Sequence, residues 1–276
     1  MYWDLISFYF FRRKSPDVYE QINKNRSILD GLGTLISKKE YELTDYGIPK
    51  KNLQYINEPI NKYLCNIDLI IILLTFFRKK EVNYLEIGVS IMKNFFVIEN
   101  NFKNFNLFAY DINPIIGKHK SKFQKDSELN SFYFSENTNN SLFYYVGDVL
   151  NEFQTKEFTS KLNSKFDFIY SDALHTQAGV EAEFKNIIQN NLNDEFIIYY
   201  DDLDIDWDIP TVEAAVFNIF RKLKKENKNV KLFTFWINGW LGQYESMHKN
   251  AIITNIDLDN YFRTKKLKLP FLKKHL

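Results

Sequence analysis

The 276-residue chain has a single cysteine, Cys65. One thiol can form neither an internal disulfide nor a thiolate zinc cage, so secreted disulfide scaffolds and zinc ribbons are excluded. Charge of one sign is lacking too: 36 Lys and Arg face 35 Asp and Glu, a formal net charge of +1. Without a basic excess there is no electrostatic reason to expect a dedicated nucleic-acid binder. Long hydrophobic runs are absent. The longest, Leu69 to Phe77, is nine residues and is interrupted by Thr75, whereas a membrane span needs ~20. The opening segment has Asp4 where a secretory leader carries its positive charges, and Arg12, Arg13 and Lys14 follow the apolar stretch. The expectation is a cytoplasmic protein with no membrane span. Glycine is scarce at 9 residues, about half the usual ~7%, so each one carries more information.

What the chain does have is apolar and aromatic residue in quantity, with 26 Phe and 17 Tyr. Alongside abundant Lys, Asn and Ile, this reads as a coding bias toward AT-rich codons rather than as a binding surface. Residues 1–60 hold Pro16, Gly31, Gly33, Gly47, Pro49 and Pro59 with no sustained period, and read as a helical and irregular N-terminal extension. From about Asn61 to Lys80 a helix is predicted, with Leu64, Ile67, Ile70, Ile71, Leu74 and Phe77 on its apolar face and cations at its end. Short apolar runs then recur at 82–88, 106–111, 142–148, 166–172 and 195–202, most of them separated by helix-length segments. Continuous apolar strands alternating with helices predict an α/β fold with a parallel sheet covered on both faces. The polar segment 115–141 predicts one helix plus a surface insertion. The runs 231–237 and 250–256 lie too close together for a crossover helix, which predicts a terminal antiparallel strand pair. The last stretch, 261–276, is a basic tail.

In an open α/β sheet, ligands bind outside the carboxyl ends of the strands. There the chain places Glu86, Asp111, Asp148, Asp172, Asp201 and Asp202. One acid after a strand is often a helix N-cap, and Asp148 has that alternative before the helix expected near Leu150. A row of five acid-ended strands is harder to explain by capping. Asp111 lies 23 residues beyond Gly88, a spacing that nicotinamide enzymes share.

The segments LEIGVS, AYD, VGD and FIYSDALH, in this order, resemble the class I S-adenosylmethionine-dependent methyltransferases over roughly residues 60–256. The resemblance implies a Rossmann-like, doubly wound, seven-stranded sheet, mostly parallel, in which the terminal antiparallel pair is strands six and seven. It divides the chain into an extension (1–60), a methyltransferase-like domain (61–260) and the basic tail (261–276). Glu86, Gly88 and Ser90 match the loop that approaches the methionine part of the cofactor, although the further glycines of the fuller pattern are missing. Asp111 matches the position that binds the ribose hydroxyls, and Asp148 the one that reads the adenine amino group. FDFIYSDALHTQAGVEAEF resembles a metal-dependent subgroup acting on small molecules and sugars, with Asp172, His175, Gly179 and Val180 matching residue by residue. In that subgroup the next strand ends in paired acids, supplied here by Asp201 and Asp202. The resemblance thus implies Glu86, Gly88, Ser90, Asp111, Asp148 and Asp172 at the cofactor, a magnesium-like ion (Mg2+) on Asp172, Asp201 and Asp202, and His175 as general base toward a hydroxyl. The residues alone leave His175 open to a loop-capping role, and Asp201 and Asp202 open to being one cofactor-facing acid and one turn residue.

No N/D-P-P-Y/F sequence follows the fourth strand, and Cys65 falls before the first, so amino-group and cysteine-type C5 methylation are disfavoured and oxygen remains as the acceptor. The expected activity is transfer of a methyl group from S-adenosylmethionine to a small-molecule hydroxyl, sugars included. A homo-oligomer is compatible with these features. The rival from another class is a catalytically silent methyltransferase-like binding module, which the glycine-poor loop favours. A nicotinamide oxidoreductase is disfavoured by the missing G-x-G-x-x-G.

Overall fold

The computed structural model describes residues 16–31, 64–77, 81–115, 117–127, 131–135, 139–162, 165–203, 211–238, 247–265, 267 and 269–276. The chain divides into two compact units, one of Lys79–Phe233, Asn250–Ile256 and His275–Leu276, the other of Met1–Arg78, Thr234–Lys249 and Asp257–Lys274. The described strands form one ten-stranded sheet, in the order β10-β8-β9-β7-β6-β1-β2-β5-β4-β3.

The first unit is built on β1 (Val82–Ile87), β2 (Phe105–Asp111), β5 (Ser141–Val146), β6 (Phe166–Ser171) and β7 (Leu192–Tyr200). β1 pairs in parallel with β2 on one side and β6 on the other, and β2–β5 and β6–β7 are also parallel. Every residue of β1 and β6 is buried, which is why these strands read as unbroken apolar runs instead of alternating ones. β9 (Met247–Thr254) runs antiparallel to β7, with Tyr200 opposite Ala251, and β8 (Lys231–Asn238) lies next to β9. All five predicted apolar runs and both terminal runs are strands.

The expected count of seven strands is corrected to ten. The segment 115–141 forms not only the short helix Gly117–Lys120 but also β3 (Gln124–Lys125) and β4 (Phe132–Ser135). β4 pairs antiparallel with β5 and sets Phe132 against Phe143, ring centroids 6.0 Å apart. Those aromatic side chains cover an edge that β5 would otherwise leave open. β10 (Lys273–His275) arises within the basic segment, which also contains the end of helix Leu258–Thr264 and the buried Leu267 and Leu269.

Helices α3 (Lys93–Asn101), α5 (Glu152–Ser160), α6 (Gln177–Glu183) and α7 (Val212–Glu226) follow successive strands, α1, α2 and α4 being Pro16–Gly31, Asn66–Leu74 and Gly117–Lys120. α6 continues into a π turn, Phe184–Ile188. α7 turns Val212, Ala215, Val216, Ile219, Phe220 and Leu223 inward, a spacing that lines one face. These residues join Leu85, Ile87, Ile169, Ile198 and Tyr200 in one core cluster. The helix after β5 is capped by Asn151, whose side chain accepts from the amides of Phe153 and Gln154. Asp148 is therefore not that cap.

In the second unit, α2 is shorter than predicted, and residues 61–63 and 78–80 lie outside the described ones. Every residue of α2 is buried. Among them is Asp68, whose carboxylate takes a two-pronged bond from the Arg26 guanidinium of α1, at 2.9 and 2.7 Å, plus one from Asn25 at 2.9 Å and one from the Cys65 amide at 2.9 Å. A fully buried charge is tolerated when it is paired and hydrogen-bonded in this way. Of the N-terminal extension, only α1 is described. No helix among the described residues is long and apolar enough to cross a membrane.

Candidate functional site

From β1 the chain runs to β2 and β5 on one side, then to β6 and β7 on the other, so the strand order reverses between β1 and β6. Such a reversal opens a crevice at the carboxyl edge. Gly88 and Asp172 meet there: the Asp172 amide donates to the Ile87 carbonyl at 2.8 Å. Gly88 has φ +84°, and a Cβ added to it would lie 2.2 Å from the Asp172 carbonyl oxygen. The positive φ and the close approach both require glycine.

On the β1/β2/β5 side the acids are held by donors. Glu86, 1% exposed, accepts from the Tyr84 hydroxyl and the Asn94 amide, each at 3.1 Å. Burial pushes its pKa up to about 8, against the opposing pull of those two bonds and of Lys93. Asp111 Oδ2 accepts from the amides of Val89 (2.6 Å) and Ser90 (3.0 Å), and Oδ1 from that of Asn113 (2.8 Å). Burial raises its pKa and these three bonds pull it back. A carboxylate has about four acceptor positions, and the Asn113 side chain adds to these three bonds, so Asp111 is nearly filled by the chain itself. Its bonds also order the 88–90 loop, where Ser90 has φ 51°. Asp148 Oδ1 accepts from the Leu150 amide at 2.9 Å, and Oδ2 carries no hydrogen bond among the described residues. Ile112 (65% exposed) and Leu150 (51%) stand on the loops after β2 and β5, beside Asp111 and Asp148.

On the β6/β7 side the acids face one another. Tyr170 donates to Asp201 Oδ2 at 2.6 Å and contacts Asp172 Oδ2 at 3.1 Å. One hydroxyl has one proton for two carboxylates. Burial first, then the charges of Asp201, Asp202 and Glu86, drive the Asp172 pKa well above the usual carboxylate range. Asp202 is held in the left-handed region, φ 52°, with its amide on Asp201 Oδ1 at 3.0 Å. His175 Nε2 lies 3.5 Å from Asp172 Oδ1, and Nδ1 lies 3.9 Å from Asp202 Oδ2. One donor atom from each of Asp172, His175 and Asp202 falls within 4.8 Å of the others. The two carboxylates of this set fit a divalent cation, with the imidazole beside them. Gly179 of α6 lets that helix approach the same loop, since a Cβ there would lie 2.7 Å from the Leu174 carbonyl.

The structure thus brings Asp172, His175 and Asp202 together and turns Asp201 onto Tyr170. Glu86, Gly88, Ser90 and Asp111 gather around the 88–90 loop, with Asp148 at the end of the neighbouring β5. Sequence reasoning missed Tyr84, Tyr170 and Asn94. The two tyrosines had a readable signal: Tyr84-Leu-Glu86 and Tyr170-Ser-Asp172 each place a phenol two residues before an acid, on the same face of the strand. Asn94 had none, because its partner is eight residues away across a loop.

No family model matches the chain, and no curated protein matches its sequence. Solved structures give weak likenesses. A candidate O-methyltransferase from Klebsiella pneumoniae has 12% identity and a TM-score of 0.44, over 89% of this chain and 94% of that one. The plantazolicin methyltransferase BpumL in complex with SAH has 15% identity and a TM-score of 0.44, over 84% and 99%. Cofactor-bound Rv0187 from MTB has 12% identity and a TM-score of 0.44, over 67% and 77%. The strand order itself defines the architecture: five parallel strands wound both ways from β1, with antiparallel β9 beside β7, form a doubly wound, Rossmann-like sheet.

Proposed function

We propose that the protein transfers a methyl group from S-adenosylmethionine to a hydroxyl of a small molecule, sugars among the candidate acceptors, in the cytoplasm. The observation that carries this reading is the meeting of the Gly88 and Asp172 loops at the strand-order reversal, with donor-held acids on one side and Asp172, His175 and Asp202 on the other. Glu86, Gly88, Ser90, Asp111 and Asp148 would hold the cofactor, with Asp172 at its methionine end. Ile112 and Leu150 offer exposed apolar surface beside Asp148, suited to a flat base whose amino group that acid could accept.

The sulfonium cofactor supplies an already activated methyl group, so the chain's task is positioning and removal of the acceptor's proton. Asp172 and Asp202 would hold a divalent cation such as Mg2+, which lowers the pKa of a bound hydroxyl, while Asp201, expected as a third ligand, is turned onto Tyr170. His175 is placed to accept the hydroxyl proton at one ring nitrogen, while Asp172 or Asp202 orients the ring from the other.

Calorimetry with S-adenosylhomocysteine should show binding by the full chain, and labelled S-adenosylmethionine should methylate members of a hydroxylated acceptor panel. Chelation should abolish turnover and Mg2+ restore it. His175→Ala should lower turnover and leave S-adenosylhomocysteine affinity nearly intact. Absence of cofactor binding would overturn the reading, and full turnover in excess chelator would remove the cation from it.

A further inference from the structure

Ser171 and Tyr200 are register partners at the ends of β6 and β7, each immediately before a site acid. Neighbours along a strand point to opposite faces. Tyr170, Asp172 and Asp201 therefore share one face, and Ser171 and Tyr200 lie on the other, against α6. Glu183, the last residue of α6, is fully buried there. The Ser171 hydroxyl donates to Glu183 Oε2 at 2.5 Å, and the backbone of Leu174, in the Asp172–His175 loop, hydrogen-bonds to the same side chain. The other oxygen, Oε1, and the Tyr200 hydroxyl are both buried and lack a hydrogen bond among the described residues. Tyr200 shares the sheet face of its register partner Ser171, which holds Glu183, so both atoms are buried on the same side of β6 and β7. Buried polar atoms left without a bond are costly, and a proton on Oε1 would give Glu183 a donor to offer toward the Tyr200 oxygen. The π turn starts directly after Glu183, a device that often marks functional positions.

We propose that Glu183 is a positioning residue that works as a neutral carboxyl: it accepts from Ser171, offers its proton toward Tyr200, and so braces the ends of β6 and β7 and sets the spacing of Asp172 and Asp202. Burial, against the bonds from Ser171 and Leu174, raises its pKa to about 7, consistent with a neutral form. The cation readout below rests on the proposed function; the brace itself does not. Glutamine is the matching isostere, with a carbonyl for Ser171 and an amide N–H for Tyr200.

The test uses the full chain, Mn2+ alone as a spin-active probe of the cation site, and amide hydrogen exchange. Glu183→Ala should weaken Mn2+ binding about 10-fold and speed exchange about 10-fold at the Asp172 and Asp201 amides, leaving β2 and β5 unchanged. Glu183→Gln should stay within about 2-fold of the native chain on both measures. Glu183→Ala with native values, or Glu183→Gln as impaired as Glu183→Ala, would overturn the proposal. If Glu183→Ala does not fold, Ser171→Ala and Tyr200→Phe decide it through the same local rise in exchange or its absence. If the native chain binds no Mn2+, the cation reading fails, and the exchange pattern alone decides the brace.

Discussion

The two sides of the crevice use the same residue type in opposite ways. At the ends of β1 and β2, Glu86 and Asp111 are surrounded by donors: a phenol, a side-chain amide and three backbone N–H groups. At the ends of β6 and β7, Asp172 and Asp201 share one phenol, and burial with the charges of Asp201 and Asp202 raises the proton affinity of Asp172. The first arrangement is held by the chain's own donors and shapes a loop. The second sets like charges around Asp172, and a cation bound there would lower that repulsion. Carboxylates at neighbouring strand ends can thus serve either as structure or as a receptor, and the donors around them decide which.

The largest test joins the two sides. Gly88→Ala puts a Cβ onto the Asp172 carbonyl at a positive φ, and should cost about 3 kcal/mol in denaturant unfolding. An unchanged midpoint would show that the two loops are not tightly apposed.

Next is Glu86. Its pKa is raised on folding, so folding takes up a proton: its contribution is fully present below about pH 4.5 and is lost as pH rises through about 8. The stability gap between the native chain and Glu86→Gln should therefore shift by a few kcal/mol in favour of the variant across that window. A pH-independent gap would place Glu86 in water.

Asp111→Ala leaves three backbone N–H groups without their acceptor and should cost about 1–3 kcal/mol in stability, with weaker S-adenosylhomocysteine binding besides. If affinity falls and stability does not, Asp111 belongs to the receptor class after all.

The smallest effect has the opposite sign. Asp172→Asn removes one of the facing charges and should stabilise the cation-free chain by about 1 kcal/mol, while abolishing turnover. Destabilisation would mean that the acids on this side are not in conflict.

The sheet was legible because β1, β2, β6 and the second half of β7 are buried on both faces and, with the half-buried but aromatic β5, read as apolar runs with helix-length gaps. β3, β4 and β10 were not legible: they have only two to four residues, too few to show a period. The acids Glu86, Asp111 and Asp172 were readable from their place after apolar runs. Their division of labour was not, because it depends on Tyr170, Asn94 and the Val89 and Ser90 amides, which come together only in the fold. Asp201 and Asp202 are adjacent in sequence and still separate, because the left-handed turn at Asp202 aims the two carboxylates apart.

The guanidinium of Arg26 and the carboxylate of Asp68 have a consequence for how this chain can be cut or shuffled. Asp68 is wholly shielded from water, and four of its bonds come from α1 and the Cys65 amide. A chain trimmed to begin just before α2 would keep the anion and lose its counter-ion, a change that costs about 3–5 kcal/mol when one partner of a buried pair is removed. Recombination at that seam, in the laboratory or over evolutionary time, succeeds only if α1 travels with α2 or if residue 68 becomes apolar in the same step. The boundary between extension and body is thus drawn by an ionic bond rather than by the end of a sequence pattern.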